Sequence, residues 1–369
     1  MDLTIDVHRS PVGKAQTPEE QRGFGKVFTD HMFVMHYERG RGWHDARVVP
    51  YGPLTLDPAT AVFHYGQAMF EGMKAFRAPD GAVRLFRPER HCERMAAGAP
   101  RLCMPSPDPR FMQRALSTLI GVDHDWVPSD PQGALYIRPT LIATDPQLGV
   151  RASSRYTFFV IISPVGPYNP AGFEPLRIWV EDRYVRAAPG GLGSVKASAN
   201  YVASLLASEE ARARGYAQVL WLDAANHRTI EEVGTMNLFV RIADELITAP
   251  LEGTILGGVT RDSVLTLARS WGLKATERRL TMDQLVAAQK DGSLQEVFGC
   301  GTATVIAPVG ELGYHDGRLT VGRGEPGELS RRLYDAICGV QHGTRPDTFG
   351  WMVEVPKLEA TGQRMRLTG

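Results

Sequence analysis

The chain has 369 residues, 43% of them hydrophobic and 22% charged, with 41 basic and 41 acidic side chains. That length suits about two domains with real cores, and a net charge of zero without a basic block speaks against a polyanion partner such as nucleic acid. Four scattered cysteines with no C-x-x-C pair speak against a zinc or other metal site and against thioredoxin-like chemistry, and they fit a reducing compartment.

The start, Met1-Asp2-Leu3-Thr4-Ile5-Asp6, has no basic region followed by an apolar run, so no secretory leader is expected. No apolar run approaches the ~18–20 residues of a membrane span. The expected location is the cytoplasm, with no membrane partner.

Residues 1–22 are polar and read as an irregular lead-in. Met32 to Glu38 is rich in strand formers, Arg39-Gly40-Arg41-Gly42 reads as a turn, and Trp43 to Val49 as the returning strand. His64 to Arg77 begins helix-compatible and ends strand-like. Asp80-Gly81 between apolar runs is a hairpin signal, returning through Ala82 to Arg87. Pro88 suits the first turn of a helix carrying Arg94. A second helix is expected around Arg110 to Val122. Ala134 to Ala143 and Arg155 to Ser163 read as strands. On the first, Tyr136 and Arg138 share a face.

The proline- and glycine-rich stretch 166–175 reads as a linker, giving an N-terminal domain 1–165 and a second domain 176–369. In the second, a glycine-rich loop, Gly190-Gly191-Leu192-Gly193, delivers Lys196. A helix is expected over Ala199 to Arg214, with Leu205 and Leu206 toward the core and Gly215 as its cap. Strands are expected at Gln218 to Asp223, Ile230 to Val240, Leu246 to Thr248 and Glu296 to Ile306, and helices after Gly258 and around Glu328 to Val340.

The chemistry centres on Lys196. A lysine presented by glycines among small residues is a candidate Schiff-base amine. Two turns are candidate anion cradles: Gly257-Gly258-Val259-Thr260, opening a helix, and Gly301-Thr302-Ala303. Neither matches a Walker or dinucleotide-binding pattern, which speaks against nucleoside triphosphates and dinucleotides. A lysine that bonds an aldehyde, together with a phosphate site, points to pyridoxal 5'-phosphate. That cofactor needs a carboxylate at its pyridine nitrogen, a phenol at its ring oxygen and an arginine at its phosphate. Glu232, Tyr201 and Arg94 can fill these roles.

The stretches Phe70-Glu71-Gly72-Met73-Lys74-Ala75-Phe76, Arg84-Leu85-Phe86-Arg87-Pro88, Glu93-Arg94-Met95, Leu135-Tyr136-Ile137-Arg138-Pro139, Lys196-Ala197-Ser198-Ala199-Asn200-Tyr201, Glu232-Val233-Gly234-Thr235-Met236-Asn237 and Phe298-Gly299-Cys300-Gly301-Thr302-Ala303 occur in this order. Together they resemble the branched-chain amino acid aminotransferases, class IV (fold type IV) pyridoxal-phosphate enzymes, over about residues 24 to 355. The resemblance implies a mixed α/β, two-domain architecture, with a small N-terminal domain, a larger C-terminal one and the cofactor between them. It implies that Lys196 carries the cofactor and moves the proton, that Glu232 rather than Glu231 pairs with the pyridine nitrogen, and that Tyr201 meets the phenolic oxygen. Arg94, Val259, Thr260 and Thr302 would hold the phosphate, and Thr235 is counted with the cofactor residues.

For substrate, the resemblance implies an apolar pocket from Phe24, Tyr65, Phe70 and Tyr168. Arg138, with Tyr136 or Tyr65, would take the distal carboxylate of glutamate. The amides of Thr302 and Ala303 would meet the α-carboxylate. A homodimer is implied, with the partner's 145–150 loop completing the pocket. Some animal members carry a C-x-x-C redox switch after the Gly-Thr-Ala turn. Thr304 and Ala307 stand there instead, so no such switch is expected, and Cys300 reads as structural. Rival readings are a D-amino acid aminotransferase, an aminodeoxychorismate lyase and a non-catalytic relative.

Overall fold

The computed structural model describes residues 3–15, 18, 21–166, 172–314, 317–359 and 364–367. The chain divides into two compact units: one of Met1–Tyr168, Val195–Ser198 and Gly339–Gly369, the other of Asn169–Ser194 and Ala199–Cys338.

The first unit opens with β1 (Ile5–His8), β2 (His31–Glu38), β3 (Gly42–Pro50), α1 (Ala61–Tyr65), β4 (Ala68–Phe70), β5 (Met73–Arg77) and β6 (Val83–Phe86). It continues with α2 (Pro88–Gly98), α3 (Pro109–Val122), β7 (Ala134–Ala143) and β8 (Arg155–Val165). The second unit holds β9 (Leu176–Glu181), α4 (Ser198–Val202) except for its first residue, α5 (Leu205–Ala213), β10 (Gln218–Leu222), β11 (Ile230–Val233), β12 (Met236–Ile242) and β13 (Glu245–Thr248). Then come α6 (Val259–Ser270), β14 (Lys274–Glu277), α7 (Met282–Lys290), β15 (Leu294–Gly301), β16 (Val305–Tyr314), β17 (Gly317–Thr320) and α8 (Glu328–Gln341). The chain then returns to the first unit with β18 (Met352–Val355) and β19 (Arg364–Leu367).

The first unit is built on a 10-stranded sheet in the order β18-β6-β5-β7-β8-β2-β3-β1-β19, with β4 also on β7. The β2–β3 hairpin and the β5–β6 hairpin about Asp80-Gly81 form where the turn residues placed them. Alternation along β7 puts one row of side chains on each face. Pro88 occupies the first turn of α2, and Asp108 caps α3 by accepting from the Arg110 and Phe111 amides. Large apolar side chains such as Phe33, Met69, Leu85 and Phe158 are fully buried in this unit.

Three expectations are corrected here. The lead-in contains β1, because Asp6 and Val7 pair with β3 and the whole strand pairs with β19. The C-terminal stretch from Gly339 belongs to the first unit, since β18 pairs with β6 and β19 with β1. Val195–Ser198 also belongs there: Ala197 bridges to Met69, and the Phe70 amide donates to the Lys196 carbonyl at 3.2 Å.

The second unit is a 9-stranded mixed sheet, ordered β11-β10-β9-β16-β15-β12-β13-β14 with β17 on β16. Its core gathers Ile178, Leu220, Val233, Leu238 and Val297, with Leu285 of α7 packed on it. The helix expected over Ala199 to Arg214 is broken into α4 and α5. Leu205 and Leu206 face solvent at 59% and 56% exposure, while Ala207 and Ala211 are buried. The reason is space: the two alanines sit four residues apart on one face and pack in a cluster with Trp221 and Tyr216. Gly215 ends the segment at φ +82°, as a helix-terminating glycine does.

Candidate active site

Lys196 lies in a short extended stretch laid against β4. Glu71 follows that strand at once, and its amide donates to the Pro139 carbonyl of β7 at 2.8 Å. The Lys196 amine sits 5.0 Å from the centre of the Phe70 ring. Burial pushes its pKa down to about 8, with Arg94 and Arg138 adding to the fall and Glu71 and Tyr136 opposing it. A lysine so lowered is partly neutral near pH 8, which is what attack on an aldehyde requires.

Beside it lies a buried ionic cluster. Glu71, 1% exposed, accepts from Arg94 Nε at 2.8 Å, Arg94 Nη2 at 2.8 Å and His91 Nδ1 at 3.0 Å. The Gly72 amide adds a further bond at 3.1 Å. Burial alone would raise the Glu71 pKa, but the Arg94 charge and these hydrogen bonds hold it well below the usual carboxylate range. His91 is pushed down chiefly by burial, against the pull of Glu71. His91 and Arg94 stand three residues apart on α2, so both reach the same carboxylate.

The shared face of Tyr136 and Arg138 is real. Arg138 Nη2 donates to the Tyr136 hydroxyl at 2.8 Å, and its guanidinium lies 4.5 Å from the centre of the Phe70 ring. Phe24 packs on Tyr136 with ring centroids 4.8 Å apart. A methyl on Gly72 would collide with the Tyr136 hydroxyl, so glycine is required for this arrangement. Tyr65 is 42% exposed, and its hydroxyl accepts from the Gly149 amide at 2.6 Å. Tyr168 lies outside the described residues.

The second unit carries the other candidates. Glu232, 3% exposed on β11, accepts from the Leu256 amide at 2.8 Å and from Asn237 Nδ2 at 3.4 Å. Arg186 Nε lies 3.2 Å from its Oε2. Glu231 is buried too, but its Oε2 has no hydrogen-bond partner, and burial raises its pKa. It lines a small cavity with Leu238, Val240 and Ile247. Asn237 also donates to the Leu256 carbonyl at 2.8 Å, which ties the carboxylate to the start of α6.

No side chain caps α6, so helix geometry leaves its first amides, at Val259 and Thr260, without partners in the helix. Gly258 precedes them, and a Cβ there would run into Asn237 Oδ1. Thr302 and Ala303 form the turn between β15 and β16, held near β12 by Thr304 Oγ1 at 3.2 Å from Met236 Sδ. Val305, next in chain, has φ +62°, a strained conformation for a β-branched residue. Thr235 is exposed in the β11–β12 turn, and Tyr201 is partly buried on α4. Cys300 is 1% exposed, and burial pushes its thiol up, so it behaves as a packing residue. Among the described residues, no group of acidic, histidine or cysteine side chains is arranged to hold a metal ion.

Sequence reasoning missed Glu71 and His91 as site residues, and Arg186 and Asn237 as the holders of Glu232. Glu71 and Asn237 fall inside the motifs quoted above, but nothing local marks their roles: the partners of Glu71 lie 20 and 23 residues away, and Arg186 meets Glu232 only in the folded chain.

The uncapped start of α6, with a glycine where a side chain would not fit, and the acidified amine of Lys196 both suit a phosphorylated aldehyde cofactor. The family Amino-transferase class IV matches residues 68–312. "Branched-chain-amino-acid aminotransferase 2" of Bacillus subtilis is 48% identical over 355 residues, covering 96% of this chain and 98% of that protein. Among solved structures, the branched-chain amino acid aminotransferase from Escherichia coli is similar with a TM-score of 0.71 and 27% identity, covering 88% of this chain and 99% of that one. The T.th. branched-chain amino acid aminotransferase, solved with pyridoxamine 5'-phosphate, gives a TM-score of 0.74 at 25% identity, covering 88% and 98%. These likenesses favour the branched-chain reading over the rival ones. The chain belongs to the branched-chain-amino-acid aminotransferases, within class IV of the aminotransferases.

Proposed function

We propose that this aminotransferase moves the amino group of leucine, isoleucine or valine to 2-oxoglutarate, reversibly, with pyridoxal 5'-phosphate as cofactor. The observation that carries the reading is the Lys196 amine, held over the Phe70 ring with its pKa brought down to about 8. When bound, the cofactor supplies an aldehyde that takes up an amine and a ring that withdraws electrons from the substrate's α-carbon.

The protein's own groups do the rest. Lys196 Nζ takes the α-proton of the bound amino acid, a task its lowered pKa suits around pH 8. Glu232 holds a negative charge for the pyridine nitrogen, and Arg186 beside it keeps that charge in place. The amides of Val259 and Thr260, with Arg94 and Thr302, bind the phosphate. Tyr201 meets the phenolic oxygen, and Thr235, in the turn of the hairpin that carries Glu232, is counted with the cofactor residues. Phe24 and Phe70, with Tyr65 and Tyr168, offer apolar surface to the aliphatic side chain. Arg138, steered by Tyr136, takes the distal carboxylate of glutamate, and the amides of Thr302 and Ala303 take the α-carboxylate.

A homodimer in the cytoplasm is part of the same proposal. The loop around Leu148 and Val150 exposes apolar side chains suited to a partner copy, and four scattered cysteines with no C-x-x-C pair fit a reducing compartment. No described helix is long and apolar enough to cross a membrane.

The test is a cofactor spectrum of the purified chain with a panel of L- and D-amino acids and 2-oxoglutarate as acceptor. Bleaching of an absorbance near ~410 nm by L-leucine, with glutamate formed, is expected. Bleaching by D-alanine instead would overturn the substrate assignment, and light scattering checks the dimer.

A further inference from the structure

Glu71 is a carboxylate with every bond directed. It is 1% exposed, and it sits where the chain leaves β4, pinned through its own amide to Pro139 of β7. Arg94 meets it side-on through Nε and Nη2, both at 2.8 Å. A guanidinium is planar, so a carboxylate that occupies one edge fixes the direction of the other edge, which ends in Nη1. His91 Nδ1, at 3.0 Å, and the Gly72 amide, at 3.1 Å, share Oε2 with Arg94 Nη2. Because an ionised carboxylate only accepts, Nδ1 carries the proton, and that fixes the ring's tautomer. A buried anion without partners is costly, so this carboxylate holds Arg94 in a single pose.

We infer that Glu71 is a positioning residue for cofactor binding: it clamps the Arg94 guanidinium side-on, with His91 bracing the clamp, so that Arg94 presents its far edge to the cofactor's phosphate. The inference rests on the reading that Arg94 holds that phosphate. It assigns Glu71 no contact with substrate or cofactor. Its effect on binding passes through Arg94.

A double-mutant cycle on the full-length chain tests it, with the dissociation constant of pyridoxal 5'-phosphate read from visible absorbance. Arg94→Gln, Glu71→Gln and the double variant are compared with the parent, and far-UV circular dichroism reports the fold of each. Each single variant is expected to raise the constant by about tenfold or more, and the double variant by no more than about threefold beyond the weaker single. An unchanged constant in Arg94→Gln overturns the phosphate reading itself. A raised constant in Arg94→Gln beside an unchanged one in Glu71→Gln overturns the positioning role alone. Losses that add in full in the double variant also overturn it, since Glu71 would then act independently of Arg94. Should Glu71→Gln lose its secondary structure while Arg94→Gln keeps it, Glu71 belongs to the fold and the inference fails.

Discussion

Arg186 Nε lies 3.2 Å from Oε2 of Glu232, and the same guanidinium reaches the carbonyls of Gly193, at 3.1 Å, and Thr254. Both side chains are nearly excluded from solvent, at 8% and 4% exposure. One arginine thus holds the site carboxylate and the glycine loop that leads toward Lys196. Arg186→Leu leaves a buried carboxylate without its cation, a loss worth about 3–5 kcal/mol for buried pairs in general. The Leu256 amide and Asn237 soften that cost, so the lower end is expected. Denaturant unfolding checks it, and a loss below about 1 kcal/mol would show that the neutral donors suffice.

Glu232→Gln keeps the shape and removes the charge. The ring nitrogen then loses its anionic partner, and kcat should fall by orders of magnitude with a smaller change in cofactor affinity. Steady-state kinetics with L-leucine decide it. A near-normal kcat would remove Glu232 from the role.

Lys196 sets a pH dependence whose sign is fixed. Arg94 and Arg138 add to the effect of burial, Glu71 and Tyr136 oppose it, and the amine's pKa falls to about 8. Below that value the folded protein carries a charged, unreactive amine, and above it the amine is neutral. Capture of pyridoxal 5'-phosphate by the apoprotein should therefore quicken as pH rises through about 8 and then level off. Stability moves the same way. Between about 8 and the ordinary 10.5 the unfolded chain binds a proton that the folded one does not, so this group's contribution to stability rises with pH across that window. Lys196→Ala should abolish transamination and flatten both profiles. Turnover without added amine in that variant would sink the assignment.

Arg138 and Gly72 belong to one device. The Tyr136 hydroxyl accepts from Arg138, and it fits only because position 72 has no side chain. Arg138→Ala should raise KM for glutamate and 2-oxoglutarate far more than for leucine. Gly72→Ala should do the same more mildly, since it displaces the tyrosine and leaves the arginine. Equal losses for both substrate types would take Arg138 out of distal-carboxylate recognition.

The elements readable from sequence were those written in local chemistry. The Asp80-Gly81 turn placed the β5–β6 hairpin, Pro88 opened α2, and the apolar run of β7 was recovered end to end. What escaped depends on distant pairing. β1 has only the four residues Ile5–His8 and is a strand because β3 and β19 flank it. One missed helix did carry a signal: α7 begins with a capping box in which Thr281 and Gln284 exchange bonds, visible as Thr-x-x-Gln. Within the proposed site, the chemistry of Lys196 and Arg94 singles them out in the sequence, and the family resemblance selects Glu232 over Glu231. Glu71 and Arg186 are not singled out, because a buried ion pair has no mark until the fold brings its halves together.

Gly258 offers the sharpest separation of shape from conformation. Its φ of −69° and ψ of 134° are open to any residue, so alanine brings no backbone strain there. The obstacle is Asn237, whose Oδ1 occupies the place of the new methyl. Pushing Asn237 aside loosens its 2.8 Å bond to the Leu256 carbonyl and its hold on Glu232, and so disturbs the start of α6. Gly258→Ala should therefore raise the cofactor dissociation constant by about tenfold and lower the unfolding free energy by about 1–3 kcal/mol, as overpacking a buried contact does. Gly257→Ala is the control: its methyl would meet only Leu251 Cδ1, at an ordinary 3.5 Å. If both variants weaken cofactor binding equally, the glycines act through loop flexibility and the Asn237 contact is incidental. If only Gly258→Ala does, the close approach of Asn237 is what holds the anion site in register with Glu232.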